Sequence, residues 1–301
     1  MKSTSRAALA ALLFSGSALG AAPPEIVVCH YNVRNYVDAQ PAEPGNKYGT
    51  KAKPEAEIAA VVQIIKEINP DILGVCEMGS PERFGDFKQR LAAAGLDYAD
   101  SEYVQAADED RRLALVSRFP IVARNSQRDV SYDLNGAVQK VKRGFLDVTV
   151  QVTPTYQLRL VGVHLKSKLP APGGDALIRR HEALELRRYV DQILTAEPQT
   201  NLVCYGDFND SKDQPMFHEV SGVRGTPTYL DDLPAKDALG DRWTYYWTVA
   251  DEYARIDYLF VSPALVREVV MEKSRVYRGD LWAKASDHRA VYASIIPLDR
   301  K

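Results

Sequence analysis

Short apolar segments that run straight into an acid, an amide or an imidazole recur along this chain, and that pattern constrains its fold more than any other feature. VVCHY leads into Asn32, ILGVC into Glu77, LRLVGV into His164, and LVCYG into Asp207 with Asn209 two residues on. Asp257 stands near the start of the run IDYLFV, and Asp287 and His288 precede the last run, at 290–296. Such runs read as buried strands. Polar strand ends that gather at one edge of a sandwich make a cleft lined by carboxylates, amides and imidazoles.

Helical patterns alternate with these strands. Pro54 opens a helix in which Ile58, Val61, Val62, Ile65 and Ile68 keep helical spacing, and Asn69-Pro70-Asp71 stops it. Further helices are expected at about 82–94 and 176–195, and strands at 25–31, 72–77, 113–117, 144–152, 158–164, 201–206 and 256–261. No internal repeat or linker-like composition divides the chain. With 301 residues, 46% of them hydrophobic, it can bury a full core. One α/β domain over 23–301, with strands in two packed sheets, is the expectation.

The first 22 residues read differently. Lys2 and Arg6 precede an apolar run, Ala7 to Phe14, and then small residues to Ala22. This is the pattern of a secretory signal with cleavage after Gly20 or Ala22, which implies a secreted or periplasmic protein. No later stretch is apolar enough to cross a membrane. Cys29, Cys76 and Cys204 each sit in an apolar run and read as buried thiols. The absence of CxxC and HExxH spacing argues against zinc. A formal charge of −2 argues against a large basic face wrapping duplex nucleic acid, but leaves room for a small phosphate pocket. No nucleotide-binding GxxxxGK[ST] loop and no Gly-x-Ser-x-Gly turn occurs. The polar set suits hydrolytic phosphoryl chemistry: carboxylates hold a hard cation such as magnesium, imidazoles offset phosphate charge, and another carboxylate positions water.

The motifs YNVRN (31–35), PDILGVCE (70–77), LALVSRFPI (113–121), GVHLKS (162–167), YGDFND (205–210), RIDYLFVS (255–262) and SDHRAV (286–291) together resemble the endonuclease/exonuclease/phosphatase superfamily, in order and across nearly the whole chain. That group includes deoxyribonuclease I, apurinic endonucleases, sphingomyelinases and inositol polyphosphate phosphatases. The resemblance implies a four-layer α/β/β/α sandwich with two mixed sheets. It assigns Glu77, Asn32 and Asp287 to the metal, with Mg2+ expected and Mn2+ or Ca2+ as alternatives. Asp207 matches the carboxylate that orients or deprotonates water, and Asn209 the amide that holds the phosphate or that carboxylate. His288 matches the imidazole on the scissile phosphate, Asp257 its orienting acid, and His164 the second histidine of the deoxyribonuclease I, sphingomyelinase and phosphatase branches. Glu102 matches the carboxylate partner of His164. Arg34, Arg112 and Lys166 are expected at the substrate. Arg34 stands where apurinic endonucleases carry an acid.

The implied activity is metal-assisted, in-line hydrolysis of a phosphoester. Nucleic acid is the first choice of substrate, and a small phosphoester or phospholipid the alternative; a catalytically silent binding module is the third reading. A monomer with no stable protein partner is expected. Elsewhere plainer readings hold. The aromatic run Trp243-Thr-Tyr-Tyr-Trp247 reads as packing before it reads as a stacking wall. Lys140, Lys142 and Arg143 read as a solvated face. Arg179, Arg180, Arg187 and Arg188 read as exposed ion pairs with Glu182 and Glu185. His30 reads as an ordinary strand residue, and His181 and His218 as helix or loop surface.

Overall fold

The computed structural model describes residues 24–39 and 51–299. The expected leader over 1–22 and its cleavage site lie outside those residues. Two six-stranded mixed sheets form the centre. The first has the order β15 (Val269–Val276), β16 (Val291–Ile295), β1 (Ile26–Tyr36), β2 (Ile72–Met78), β4 (Arg112–Ser117), β3 (Asp100–Val104). The second runs β11 (Asp231–Asp232), β14 (Asp257–Val261), β10 (Leu202–Asp207), β9 (Tyr156–His164), β8 (Leu146–Thr153), β5 (Ile121–Arg124). Two hairpins stand apart from the sheets: β6 (Ser131–Leu134) with β7 (Ala137–Lys140), and β12 (Tyr245–Trp247) with β13 (Glu252–Ala254). The helices are α1 (Glu55–Ile68), α2 (Pro81–Ala93), α3 (Asp175–Ala196), α4 (Pro215–Ser221) and α5 (Trp282–Ala285).

Alternation along the strands sorts the apolar side chains into three layers. Val28, Ile72, Leu115, Leu158, Leu160, Val203 and Leu259 pack between the sheets. Cys29, Leu73, Val75 and Val116 pack outward against Ile58, Val61 and Ile65 of α1 and Phe87 of α2. Val161, Val163, Cys204 and Phe260 pack outward against Leu186 and Val190 of α3 and Phe217 of α4. The expected α/β/β/α sandwich is therefore the observed one. Each fully buried Leu, Ile or Val contributes about 1.5–3 kcal/mol of transfer free energy to it. Gly74 and Gly162, from opposite sheets, face the Tyr205 ring; a Cβ on either would stand 2.1 or 2.6 Å from that side chain. The three cysteines are buried and free, and burial pushes the Cys204 thiol up to about 12.

Helix ends follow local rules. Ser80 caps α2, its Oγ accepting from Arg83 N at 3.3 Å, with Pro81 at the first helical position. Asn69 closes α1 in the left-handed conformation. On α3 the expectation of exposed ion pairs is half overturned: Arg179, Arg187 and Glu182 are buried, because that face packs on the second sheet. Arg179 bonds Asp210 at 2.9 Å. Among the described residues no helix is long and apolar enough to cross a membrane.

Candidate active site

The topology explains why the polar residues converge. β1 and β2 run parallel, as do β9 and β10, so Asn32 and Glu77, in the C-terminal halves of their strands, and His164 and Asp207, at the ends of theirs, gather at one end of each sheet. β14 runs antiparallel to β10 in the register Asp207↔Asp257, so an acid at the start of β14 meets an acid at the end of β10. Asp287 and His288 lead into β16, which is antiparallel to β1. Paired residues point to the same face. His164, Asp207 and Asp257 thus form a row across the second sheet, and His30 and Asn32 share the interior face of the first. Glu77 follows the inward-facing Cys76 and by alternation would face the helices; its left-handed backbone (φ 62°) breaks the alternation.

His288 is the hub. Its Nδ1 lies 2.8 Å from Asp257 Oδ2, and its Nε2 lies 3.7 Å from Asp207 Oδ2. The Asn32 amide bridges the cleft, with Nδ2 at 3.0 Å from Asp207, 3.3 Å from Glu77 and 3.4 Å from His288. Its oxygen accepts the Arg34 N–H at 3.0 Å. Asn32 therefore presents its Nδ2 donor to the cleft. Asp207 is fixed by the Asn209 N–H at 2.9 Å, while the Asn209 side chain donates to the Leu165 carbonyl. Burial raises the Asp207 carboxyl to about 7 against the pull of His288. Burial alone would lower His288, but Asp257 and Asp207 hold it up at about 10. Asp257 is held below the usual carboxylate range by His288 and His30, despite its burial.

Carboxylate oxygens and an imidazole nitrogen of the cleft could hold a cation. Among the described residues, Asp207, Asp257 and His288 bring ligand atoms within 4.8 Å of one another. Both Asp257 oxygens and His288 Nδ1 are already engaged in hydrogen bonds, however. Glu77 and Asp287 are more open, with side chains 16% and 31% exposed. Arg111 and Arg34 approach them only to 3.8 and 3.7 Å, while the Asn35 N–H orients Glu77 at 2.8 Å. Both Glu77 oxygens also accept hydrogen bonds, from Asn32 and Asn35, so it is their greater exposure that suits Glu77 and Asp287 to a hard cation.

Several expected residues sit elsewhere. Glu102 takes Ser126 Oγ at 2.8 Å and Arg124 at 3.2 Å, and buried His164 Nδ1 has no hydrogen-bond partner, so the expected pairing is not formed. Arg112 is buried on the helix-facing side of β4. Its neighbour Arg111 is the cleft arginine, 2.8 Å from Asn35 Oδ1. Lys166 turns its ammonium onto the Ser167 and Leu169 carbonyls. Arg143 is no solvated residue: it is buried and pairs with Asp108 at 2.9 Å. The β12–β13 hairpin is tied to the site, with Tyr246 N–H on the Asp287 carbonyl and the Tyr245 ring 4.8 Å from the His288 ring. Of the residues found at the site, His30 reads from sequence as an ordinary strand residue, Tyr245 as part of an aromatic packing run, and Arg111 carries no signal beyond its place just before LALVSRFPI.

The sequence matches the Endonuclease/Exonuclease/phosphatase family over residues 29–288. No curated protein sequence matches it. The fold is shared with the human Nocturnin catalytic domain (17% identity, 90% of this chain and 94% of that one, TM-score 0.62). It is also shared with sphingomyelinase C from Streptomyces griseocarneus (16%, 90% and 99%, TM-score 0.59) and truncated Caenorhabditis elegans TDP2 (16%, 90% and 98%, TM-score 0.58). At these identities the likeness is one of fold.

Proposed function

The chain belongs to the endonuclease/exonuclease/phosphatase family, whose members are divalent-metal-dependent phosphoester hydrolases, and from that premise we propose that it is an exported, magnesium-dependent phosphodiesterase acting on nucleic acid. The observation that carries this reading is Asp207, set between two imidazoles and a bridging amide at the shared end of both sheets. A carboxyl raised to about 7 is matched to taking a proton from water near neutral pH. In the reaction, Asp207 orients the attacking water and accepts its proton. His288, as imidazolium, donates from Nε2 to a phosphate oxygen and offsets the charge that grows there. Asn32 Nδ2 donates alongside it. His164, held neutral, serves as a hydrogen-bond donor. Glu77 and Asp287 would hold the cation, which supplies Lewis-acid stabilisation of the phosphate charge. The leader pattern over 1–22 supports export.

Purified protein incubated with plasmid and with a phospholipid panel, with and without EDTA, tests the reading. Nicking of plasmid that EDTA abolishes and magnesium restores is expected. Lipid release without nicking would replace nucleic acid by phospholipid as substrate. No hydrolysis with any divalent metal would favour a silent module.

A further inference from the structure

His30 is a buried polar group in contact with the site that the proposed reaction leaves unused. It lies on β1 with no exposed surface, two residues before Asn32, and its ring packs against Tyr205 at 5.7 Å. Its Nε2 is 3.0 Å from Asp257 Oδ1, and the other oxygen of the same carboxylate receives His288 Nδ1 at 2.8 Å. Three side chains from three strands or strand ends thus form a His30–Asp257–His288 row across the two sheets. An ionised carboxylate only accepts hydrogen bonds. Both imidazole nitrogens facing Asp257 must therefore carry a proton. Because His30 Nδ1 is buried without a partner, a proton there would be an unsatisfied donor, so the neutral Nε2–H form is the one that fits.

We propose that His30 is a positioning residue for the reaction: by holding Asp257 Oδ1 it fixes the carboxylate so that Oδ2 orients the His288 ring, with Nε2 facing Asp207 and the cleft. This rests on the reading of His288 as the phosphate-binding imidazole. The geometry explains why a carboxylate at the very start of β14 keeps one rotamer. Thr244 holds only the Asp257 backbone N–H, at 3.0 Å, and His30 supplies a side-chain anchor from the opposite sheet. Loss of such an outer partner typically costs about 10–100-fold in activity.

The test compares His30→Gln, which keeps a donor at the Nε2 position, with His30→Phe, which keeps ring volume and removes the donor. Each is checked for folding by thermal unfolding and assayed on the substrate that wild type cleaves. For His30→Phe, kcat should fall about 10–100-fold with KM within about threefold, and His30→Gln should recover most of the loss. Nitrogen-15 NMR of the wild-type imidazoles gives a readout independent of activity and of any variant. His30 should carry its proton on Nε2, and the His288 Nδ1–H signal should change in the Phe variant. A His30 proton on Nδ1, or a folded Phe variant with unchanged kcat, overturns the proposal. If wild type hydrolyses no phosphodiester, the functional reading fails, and the NMR arm still decides whether His30 orients the Asp257–His288 pair.

Discussion

Two imidazoles flank Asp207 at nearly equal distances, His288 Nε2 at 3.7 Å and His164 Nε2 at 3.6 Å, yet they are driven to opposite charge states. Burial works against the imidazolium at both. On the His288 flank the carboxylates of Asp257, Asp207 and Asp287 overcome it and hold the ring protonated. On the His164 flank Arg143, His288 and Arg111 add to burial and hold the ring well below its ordinary value. Both rings are buried but have different charged neighbours, and the sign of that surrounding charge separates what each ring can do. One can offset anionic charge on a phosphate. The other can offer only a neutral N–H.

The contrast is broken most directly by truncating each ring. His288→Ala should lower kcat at least about 100-fold, the range for loss of a positioned acid–base or charge-stabilising group. His164→Ala should cost about tenfold, the worth of one hydrogen bond to a charged group. Steady-state kinetics on folded variants measures both. Equal losses would mean that the two rings share one role and that their different surroundings do not matter to the reaction. The next largest effect is on the ring itself. Arg143→Gln removes a cation that disfavours the His164 imidazolium, so the His164 titration, followed by NMR, should move upward. The His288 titration should stay in place. A stationary His164 would remove Arg143 from the causes and leave burial, His288 and Arg111 to hold the ring down.

The same two flanks show what could be read from sequence and what could not. The strand ends Asn32, Glu77, His164 and Asp207 were legible because an apolar run ending in a polar group marks both a strand and its terminus. Asp257 looked misplaced at the start of its strand until antiparallel pairing with β10 brought it opposite Asp207. Arg112 is expected at the substrate but opens β4 on its helix-facing side, while Arg111, just before the strand, reaches Asn35 and Glu77, and the sequence does not mark which of the two turns into the cleft. Arg143 read as solvated because two lysines precede it, but its partner Asp108 lies far away in sequence. β15 carries no clear sequence signal because its middle, Met271-Glu272-Lys273, is exposed and includes two charged residues on an edge strand that needs only one apolar face. His30 sat inside a strand that was read correctly. Its partner comes from the other sheet, 227 residues away.

The smallest expected effect lies behind the His164 flank, in Glu182. This carboxyl is buried on α3 and accepts the Lys166 N–H at 2.6 Å. Burial raises it to about 7, and the opposing pull of Arg143 and two backbone N–H groups is not enough to bring it down. A carboxyl raised on folding binds its proton more tightly in the native state. Its contribution to stability is therefore greatest below its unfolded value near 4.5, and it falls as pH rises toward about 7. Glu182→Gln keeps an acceptor oxygen and removes the titration. Urea midpoints of wild type and variant should nearly coincide at about pH 3.5–4, and the variant should be the more stable at about pH 8. If Arg143 outweighs desolvation at this position, the order at about pH 8 reverses. The cationic flank would then stabilise a buried anion as firmly as the opposite flank stabilises the His288 cation, and the asymmetry between the two sides of Asp207 would be confined to the rings themselves.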